Sequence, residues 1–395
     1  MKQDKVLSKV DESNCITVAR LTIENFSCIK KLEIEFKRLT VFIGEQASGK
    51  SVTCKLFYFF TQAVRKVFAA SLRENLTFKK FSKKLEEEFH LIFPETTWES
   101  DSFKISWMDN CISITISHKR SAKNVKINCD DYAERYNNAL EELNKKRNSR
   151  RRTNWLEEDI GIRVWPQDFI SKEVDRLNLP VVDYIPAGRS FFSTIQENVF
   201  ALLSDNIGID YFLKEFGRKI ENRRFRYWRY NADYSLREYE NILHGSYSYD
   251  GKEQWIERDR SHKVRLADAS SGQQEVIPLL LILNNLLQNN VIRQRRVVIE
   301  EPEAHLFPTA QKDIIELLRK LLSRTSTLGF IITTHSPFIL CCLNNLIAKT
   351  KSMGDSVSAY HLYDGVCDDL YNGDLKLINA ERFDNISIDI ANDFS

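Results

Sequence analysis

The order of apolar and polar residues in the first part of the chain predicts a sheet. Short segments alternate between the two kinds of residue with a period of two, which places apolar side chains on one face of a strand. We predict strands on this pattern at 20–26, 31–36, 39–44, 103–108, 111–117 and 124–129. Asp109 and Asn110 between the fourth and fifth segments are a hairpin signal, so we expect antiparallel pairing.

The last third of the chain alternates between helical and strand patterns. We predict helices at 272–289, 309–322 and 337–346, and apolar strands at 295–303, 329–336 and 356–363. A long amphipathic helix is predicted earlier, at 50–68. Buried strands that alternate with helices are typical of an α/β domain with a mostly parallel sheet.

The middle of the chain has a different character. From residue 131 to residue 245 it is charged and mostly helical, and it is interrupted by an apolar strand and loop at 181–190. We therefore predict one domain in two parts, at 1–130 and 246–395, with a helical insertion at 131–245 between them.

Composition narrows the class of protein. Of the 395 residues, 43% are hydrophobic and 28% are charged, which suits a globular protein with a sizeable core. No apolar run reaches the ~20 residues that span a bilayer, and the polar N-terminus lacks a secretory signal, so we expect a cytoplasmic protein without membrane contact. The eight cysteines show no zinc spacing. A net charge of +2 means that any nucleic-acid contact must be local.

The clearest motif is VFIGEQASGKS, between the third strand and the long helix. It matches G-x-x-x-x-G-K-[ST], in which backbone N–H groups cradle phosphates and the lysine reaches the β and γ phosphates. The predicted nucleotide contacts are Gly44, Glu45, Gln46, Ala47, Ser48, Gly49, Lys50 and Ser51. Ser51 is also the predicted Mg²⁺ ligand. A plain glycine turn is the alternative, which the strand–loop–helix context disfavours.

A second motif, RRVVIEEPE, ends an apolar strand in carboxylates. Ligands bind at this end of the strands in open α/β sheets. We assign Glu300 to Mg²⁺, through water, and Glu301 to polarising the water that attacks ATP. The alternative is an acidic surface loop, which does not explain carboxylates directly after Val297, Val298 and Ile299.

Two further motifs are weak when taken singly. SSGQQE, at 270–275, is also an ordinary helix start, and the histidine of IITTHSP, His335, is by itself more often structural. Arg189, in PAGRS, is either a phosphate or subunit contact or a surface arginine. Gln167, in VWPQDF, is a candidate for contacting Mg²⁺ and the attacking water.

The order of these motifs resembles the ABC-type P-loop ATPase heads, which also serve chromosome maintenance and repair. The resemblance implies an α/β head with N-terminal antiparallel strands and a central, mainly helical insertion. It implies a signature motif at Ser271, Gly272 and Gln274 that contacts ATP on a second subunit, and hence a homo-oligomer. It also implies that His335 is the switch residue that senses the γ-phosphate.

More narrowly, SSGQQE, EEPEAHLFP and YIPAGRS resemble the OLD-like branch of these ATPases. That branch includes ATPase subunits of bacterial anti-phage systems of the Septu and PARIS types. Glu300 departs from many ABC proteins, which carry Asp there. The chain ends at Ser395 soon after the last predicted strand, so we expect no fused nuclease domain of the kind that some OLD proteins carry.

Two basic segments are candidates for binding nucleic acid. One runs from Lys145 to Arg152, and the other combines four aromatic residues with Arg223, Arg224, Arg226 and Arg229. Arginine and aromatic side chains together hold phosphates and stack on bases. The alternatives are a solvated helix face for the first segment, a packing or subunit surface for the second, or an acidic protein partner for both.

Three functions fit these observations. The first is an ATPase that hydrolyses ATP between paired heads and controls an effector, a nuclease or toxin, in anti-phage defence. The second is a DNA-binding recombination or repair ATPase of the RecF/SMC-like type. The third is a transporter ATPase subunit, which the large insertion and the Glu-Glu-Pro-Glu string disfavour.

Overall fold

The structure is a computed structural model of the 395-residue chain. It describes residues 19–109, 112–122, 124–150, 161–194, 208–230, 236, 239–259, 261–288, 293–350, 353–381 and 383. The helices are α1 (Lys50–Tyr58), α2 (Val64–Arg73), α3 (Phe78–Ile92), α4 (Ala133–Arg150), α5 (Gly161–Asp175), α6 (Phe191–Thr194), α7 (Tyr211–Tyr230), α8 (Glu240–Leu243), α9 (Ser271–Gln288), α10 (Pro308–Arg324) and α11 (Pro337–Lys349). No described helix is long and apolar enough to cross a membrane.

The strands belong to four sheets. They are β1 (Ala19–Phe26), β2 (Ile29–Phe36), β3 (Leu39–Ile43), β4 (Phe103–Met108), β5 (Ser113–His118), β6 (Lys126–Asn128), β7 (Val181–Ile185), β8 (Ser246–Tyr249), β9 (Gln254–Glu257), β10 (Lys263–Arg265), β11 (Arg295–Glu300), β12 (Leu328–Thr334), β13 (Val357–Tyr363), β14 (Val366–Asp369), β15 (Tyr371–Asn372) and β16 (Leu377–Ile378). The N-terminal sheet is antiparallel, in the order β2-β1-β4-β5-β6. The predicted antiparallel strands are therefore confirmed.

The central sheet has the order β14-β13-β3-β12-β11-β7. Its strands from β13 to β7 are parallel, and β14 adds an antiparallel edge. Every residue of β3 and β12 is buried, as expected for parallel strands that are covered on both faces. The predicted α/β fold is confirmed.

The central sheet separates two hydrophobic cores. Phe42 and Ile331 face the core that α1, α2, α3 and the antiparallel sheet share. Their chain neighbours Val41 and Ile332 face the core that α9, α10 and α11 cover. This alternation follows from the two-residue period of a strand, and it leaves the carboxyl ends of β3, β11 and β12 at one edge.

The helix after β3 is longer than predicted and is not uniformly α-helical. It contains a π-helical segment, Phe59–Ala63, between α1 and α2. There the Thr61 hydroxyl donates to Phe57 O (2.6 Å), and the Gln62 side chain accepts from the backbone N–H of Val182 (3.0 Å). Such segments are frequent at functional sites. Here the segment covers the outer edge of β7.

The predicted insertion contributes to the central sheet. β7 lies between residues 131 and 245, and it pairs in parallel with β11, with Tyr184 opposite Val298. Helices α4 and α5 pack beside α2, where Arg65 forms an ion pair with Asp175 (3.0 Å). The boundaries at 131 and 245 stay predictions, but the segment between them carries a strand of the central sheet.

Candidate functional site

The loop at 44–49 connects β3 to α1 and packs closely against β13. A Cβ atom on Gly44 would lie 2.1 Å from the backbone oxygen of Leu362, so only glycine fits here. Gly49 forms the N-cap of α1, and Ser51 is exposed in the first turn. The loop thus delivers backbone N–H groups and a helix N-terminus to one point, an arrangement that binds phosphate groups.

Lys50 is the buried cation of this loop. Its ammonium donates to the backbone oxygens of Gly44 (2.7 Å) and Glu45 (2.6 Å), and it lies 3.3 Å from the Ser48 hydroxyl. Burial lowers the pKa of Lys50, while the carboxylates of Glu301 and Glu303 act in the opposite direction. The ammonium is therefore held inside the loop, within the electrostatic reach of the acidic end of β11.

Glu300 ends β11 and is buried. One carboxylate oxygen accepts from the Tyr184 hydroxyl (2.8 Å), and the other accepts from the backbone N–H of Ala187 (3.1 Å). Burial, followed by the charge of Glu300, raises the pKa of Tyr184 well above its usual value. Tyr184 is therefore a neutral donor. Sequence reasoning missed both partners, because β7 lies more than a hundred residues from Glu300 along the chain.

Glu301 is the first residue beyond β11, and its backbone is left-handed, with φ of 45°. Its N–H donates to Thr333 O (2.9 Å), and its carboxylate lies 3.3 Å from His335 Nε2. Left-handed backbone is costly for a residue with a side chain, and it concentrates at functional sites. The structure thus brings together Glu301 and His335, two residues selected from the sequence.

Glu303 supports the loop that carries His335. One carboxylate oxygen accepts from the Thr334 hydroxyl (2.6 Å) and from the His335 N–H (2.8 Å). The other oxygen is buried and has no hydrogen-bond partner among the described residues. Sequence reasoning gave Glu303 no role of its own, although a third carboxylate so close to Glu300 and Glu301 was a signal.

The predicted signature segment begins α9. The Gln273 side chain accepts from the N–H (3.2 Å) and hydroxyl (3.0 Å) of Ser270, which forms a capping box. Ser271 is exposed at the helix end. A Cβ atom on Gly272 would lie 2.7 Å from His305 O, so the glycine lets α9 approach the loop that follows Glu301.

Gln274 does not join Ser271 on that exposed end. Its side-chain amide donates to the backbone oxygens of Ala267 (2.9 Å) and Ala269 (3.2 Å). Both amide hydrogens are thus engaged with the turn that precedes α9. The contact between Gln274 and ATP stays a prediction.

Arg189 differs from both sequence interpretations, because it is neither on the surface nor in the phosphate loop. It is fully buried, and its guanidinium donates to the backbone oxygens of Glu275 (3.0 Å), Glu300 (2.7 Å) and Glu301 (2.9 Å). Burial lowers the pKa of Arg189, and the nearby Glu275 carboxylate opposes this shift most strongly.

Gln167 is not brought to the phosphate loop. It is exposed on α5, where Phe169, two residues later, lies beneath the ammonium of Lys146 (4.4 Å) on α4. Asp175, at the far end of α5, contacts α2 more than three helical turns beyond Ser51. The assignment of Gln167 to Mg²⁺ is therefore not supported by its position.

The basic segments are only partly described. Lys145 and Lys146 form exposed ion pairs with Glu141 and Glu142 on α4. Residues 151 and 152, and the side chains of Arg223, Arg224, Arg226 and Arg229, lie outside the described residues. Their assignment to nucleic acid stays a prediction.

A cavity of about 970 Å³ opens beside the phosphate loop. It is lined by the loop, by the β1–β2 and β13–β14 turns and by the start of α11. Besides loop residues, its lining includes Cys28, Lys30, His335, His361, Tyr363 and Asp364. This volume lies at the upper end of the range for small-molecule sites, so a nucleoside triphosphate fits. Of these residues, only His335 was selected from the sequence.

In the central sheet, β3 leads into a glycine loop around the buried Lys50, and β11, two strands away, ends in carboxylates. These features define a P-loop nucleotide-binding protein. The family model described as AAA ATPase domain matches residues 17–159 and 71–340. The chain belongs to this family.

Solved structures are similar to the chain over most of its length. A Smc head bound to the C-winged helix domain of ScpA is 13% identical, with a TM-score of 0.45, and the match covers 89% of this chain and 96% of that one. The SMC head domain from Thermotoga maritima is 14% identical (TM-score 0.39; 89% and 97%). The recombination mediator protein RecF-ATP in the RecFOR pathway is 13% identical (TM-score 0.40; 90% and 99%).

Proposed function

We propose that the chain hydrolyses ATP. The observation that carries this proposal is the contact between Glu301 and His335 at the edge of the sheet where β3 delivers Lys50. In this function Lys50 and the loop N–H groups hold the phosphates, and Glu301 accepts a proton from the attacking water. His335 then lies where it can sense the γ-phosphate through the same carboxylate.

The residues fit MgATP. Ser51, exposed at the first turn of α1, and Glu300, with lone pairs left on both carboxylate oxygens, would hold Mg²⁺ directly or through water. When bound, the metal ion neutralises charge on the β and γ phosphates. Tyr184 and Ala187 keep Glu300 in one orientation, so the chain contributes a preset carboxylate.

We further propose that two heads share each nucleotide. Ser271 and Gly272 are absent from the described residues that line the cavity beside the phosphate loop, although Ser271 is exposed at the start of α9. The helix N-terminus of one subunit would then face the nucleotide held by Lys50 of a second copy, which suits a negatively charged ligand.

Mixing two inactive variants tests both proposals. Lys50→Ala removes the phosphate contact, and Ser271→Arg blocks the exposed helix end. We choose Ser271 because a side chain on Gly272 would also collide with His305 O. Each variant alone should be inactive. After subunit exchange, an equal mixture should recover about a quarter of wild-type turnover if the sites act independently, because half the dimers are mixed and half of their sites are intact.

Three results, from the single variants and from their mixture, would count against the proposals. Unchanged ATP affinity of Lys50→Ala in calorimetry would remove the phosphate-loop assignment. Full activity of Ser271→Arg would show that the segment only begins a helix. No recovery despite measured subunit exchange would argue against sites shared between subunits.

We also propose that the nucleotide state controls a partner protein, an effector nuclease or toxin of an anti-phage system. The support is the resemblance of EEPEAHLFP, SSGQQE and YIPAGRS to the OLD-like branch. Co-expression with the products of neighbouring genes, in wild-type and Glu301→Gln forms, should give a complex that depends on the nucleotide. ATP-dependent retention of DNA by the purified chain, without such a complex, would favour the recombination and repair alternative instead.

A further inference from the structure

Arg189 is a buried charge with no place in the chemistry described above. Its side chain is fully buried, and taking a guanidinium out of water is costly unless its N–H groups are satisfied. All its hydrogen bonds go to backbone oxygens, and an ion pair with the Glu275 carboxylate (3.3 Å) balances its charge. Such a residue joins segments of backbone to one another.

One end of the guanidinium binds the backbone at the end of β11, at Glu300 and Glu301. Pairing between β7 and β11 stops with Ile185 opposite Ile299, one residue before Glu300. Beyond that point Nη1 of Arg189 donates to Glu300 O and Nη2 donates to Glu301 O. Two consecutive carbonyl groups are thus fixed where Glu301 adopts its left-handed backbone.

The other end of the guanidinium binds α9, the helix that begins with the predicted signature segment. Nε donates to Glu275 O, which lies in the second turn of α9, one turn after Ser271. Ser193, four residues after Arg189, gives α9 a second tie, because its hydroxyl donates to Gln274 O (2.6 Å). The Ser193 tie reaches the same helix, but its hydroxyl bond does not involve the carbonyl groups at the end of β11.

We propose that Arg189 is a positioning residue for Glu301. Its guanidinium connects the backbone of Glu301 to α9 through hydrogen bonds. The Glu301 carboxylate is therefore presented to the attacking water only while Arg189 holds that backbone against α9. The inference rests on the proposed ATPase function. It adds that two parts of one subunit are rigidly connected. One is α9, which would offer Ser271 to the nucleotide of the second subunit, and the other is Glu301, which would activate water at the nucleotide of its own subunit.

The first test separates turnover from binding. Arg189→Lys keeps the charge, but one ammonium cannot reproduce the fork that bonds two carbonyl groups at once. We expect kcat to fall about tenfold to a hundredfold, since misplacing a reactive group by ~1 Å costs this much, with the ATP dissociation constant unchanged. Ser193→Ala is the matched control and should stay within about twofold of wild type, because it removes one hydrogen bond to α9 and leaves every bond of Arg189 to α9 and to the end of β11 in place.

The second test uses the mixture of Lys50→Ala and Ser271→Arg subunits. In the mixed dimer the one intact site takes Lys50 and Glu301 from the Ser271→Arg subunit. Arg189→Lys added to that subunit should lower the recovered activity about tenfold to a hundredfold, as in the uniform variant. Added to the Lys50→Ala subunit, which supplies only the signature helix, it should leave most of the recovery.

These experiments distinguish failure of the inference from failure of the proposed function. Wild-type protein that neither binds nor hydrolyses ATP would contradict the function. If wild type hydrolyses ATP normally, three results would overturn the positioning role. They are equal losses of activity in both placements of Arg189→Lys, a loss only when Arg189→Lys is in the Lys50→Ala subunit, and no loss in either placement. If the parent mixture shows no recovery, the kcat and affinity of Arg189→Lys alone decide.

A second variant covers the case in which Arg189→Lys does not fold. Arg189→Met combined with Glu275→Gln removes both charges of the buried pair, so that no unpaired charge is left inside the protein. It should fold, bind ATP with wild-type affinity and show the same loss of kcat. Wild-type kcat in this folded double variant would overturn the proposal.

Discussion

Glu301→Gln is the most direct test of the site. The carboxylate lies 3.3 Å from His335 Nε2, and its side chain is 37% exposed. A polar contact this exposed contributes at most about 1 kcal/mol to stability, so glutamine should leave folding nearly unchanged. Lost activity would then report on chemistry.

The expected loss follows from the role of a general base. Proton transfer by a positioned side chain contributes about 10²- to 10⁴-fold to rate, which corresponds to about 2.7–5.4 kcal/mol in the barrier at 1.36 kcal/mol per factor of ten. Glutamine cannot accept the proton, but it keeps the size of the side chain. Phosphate release in single turnovers should fall by this factor while ATP affinity in calorimetry stays the same.

Glu303→Gln is the matched control for that experiment. Its carbonyl oxygen can still accept from the Thr334 hydroxyl and the His335 N–H, so kcat should fall by less than about tenfold. Glu301→Gln turning over within threefold of wild type would refute the assignment. A Glu303→Gln loss as large as that of Glu301→Gln would move the base to Glu303.

Two further substitutions test the surroundings of the site. Tyr184→Phe removes the hydroxyl that donates to Glu300 (2.8 Å), and we expect it to lower the free energy of unfolding in urea by about 1.5–3 kcal/mol and also to weaken Mg²⁺-dependent hydrolysis. Its control, Tyr211→Phe, removes a similar bond to Glu88 (2.7 Å) and should affect stability alone; equal effects on hydrolysis would contradict the role of Tyr184. Gly272→Ala places a methyl group 2.7 Å from His305 O and should cost about 1–3 kcal/mol in the same assay, whereas Ser271→Ala should stay within about 0.5 kcal/mol; a neutral Gly272→Ala would show that α9 can shift freely.

The parts of this molecule that were predictable from sequence are those encoded locally. Lys50 follows a strand and a glycine loop within a few residues, and Glu300 and Glu301 follow an apolar strand directly. Such patterns need no knowledge of the rest of the fold. The alternation of apolar residues likewise sufficed for the antiparallel sheet and for the buried parallel strands.

The interpretations that the structure does not support concern side chains whose partners lie far away along the chain. The sequence suggested a phosphate or subunit contact or a surface position for Arg189, because the carbonyl groups that it binds lie on β11 and α9, more than eighty residues away. Gln167 lies on α5, and its sequence neighbourhood does not predict that this helix packs beside α2 and α4.

The strand order has a consequence for synthesis of the protein. β3, which leads into the phosphate loop, is made early, yet both of its neighbours, β12 and β13, come from the last part of the chain, where Leu39 meets Phe330 and Val357. The antiparallel sheet and α3 can associate from local contacts as they leave the ribosome, whereas pairing of distant strands is slow. A nascent chain therefore carries a complete phosphate-loop motif long before it has a nucleotide site. Affinity for ATP should arise in one late step, once β12 and β13 close on either side of β3.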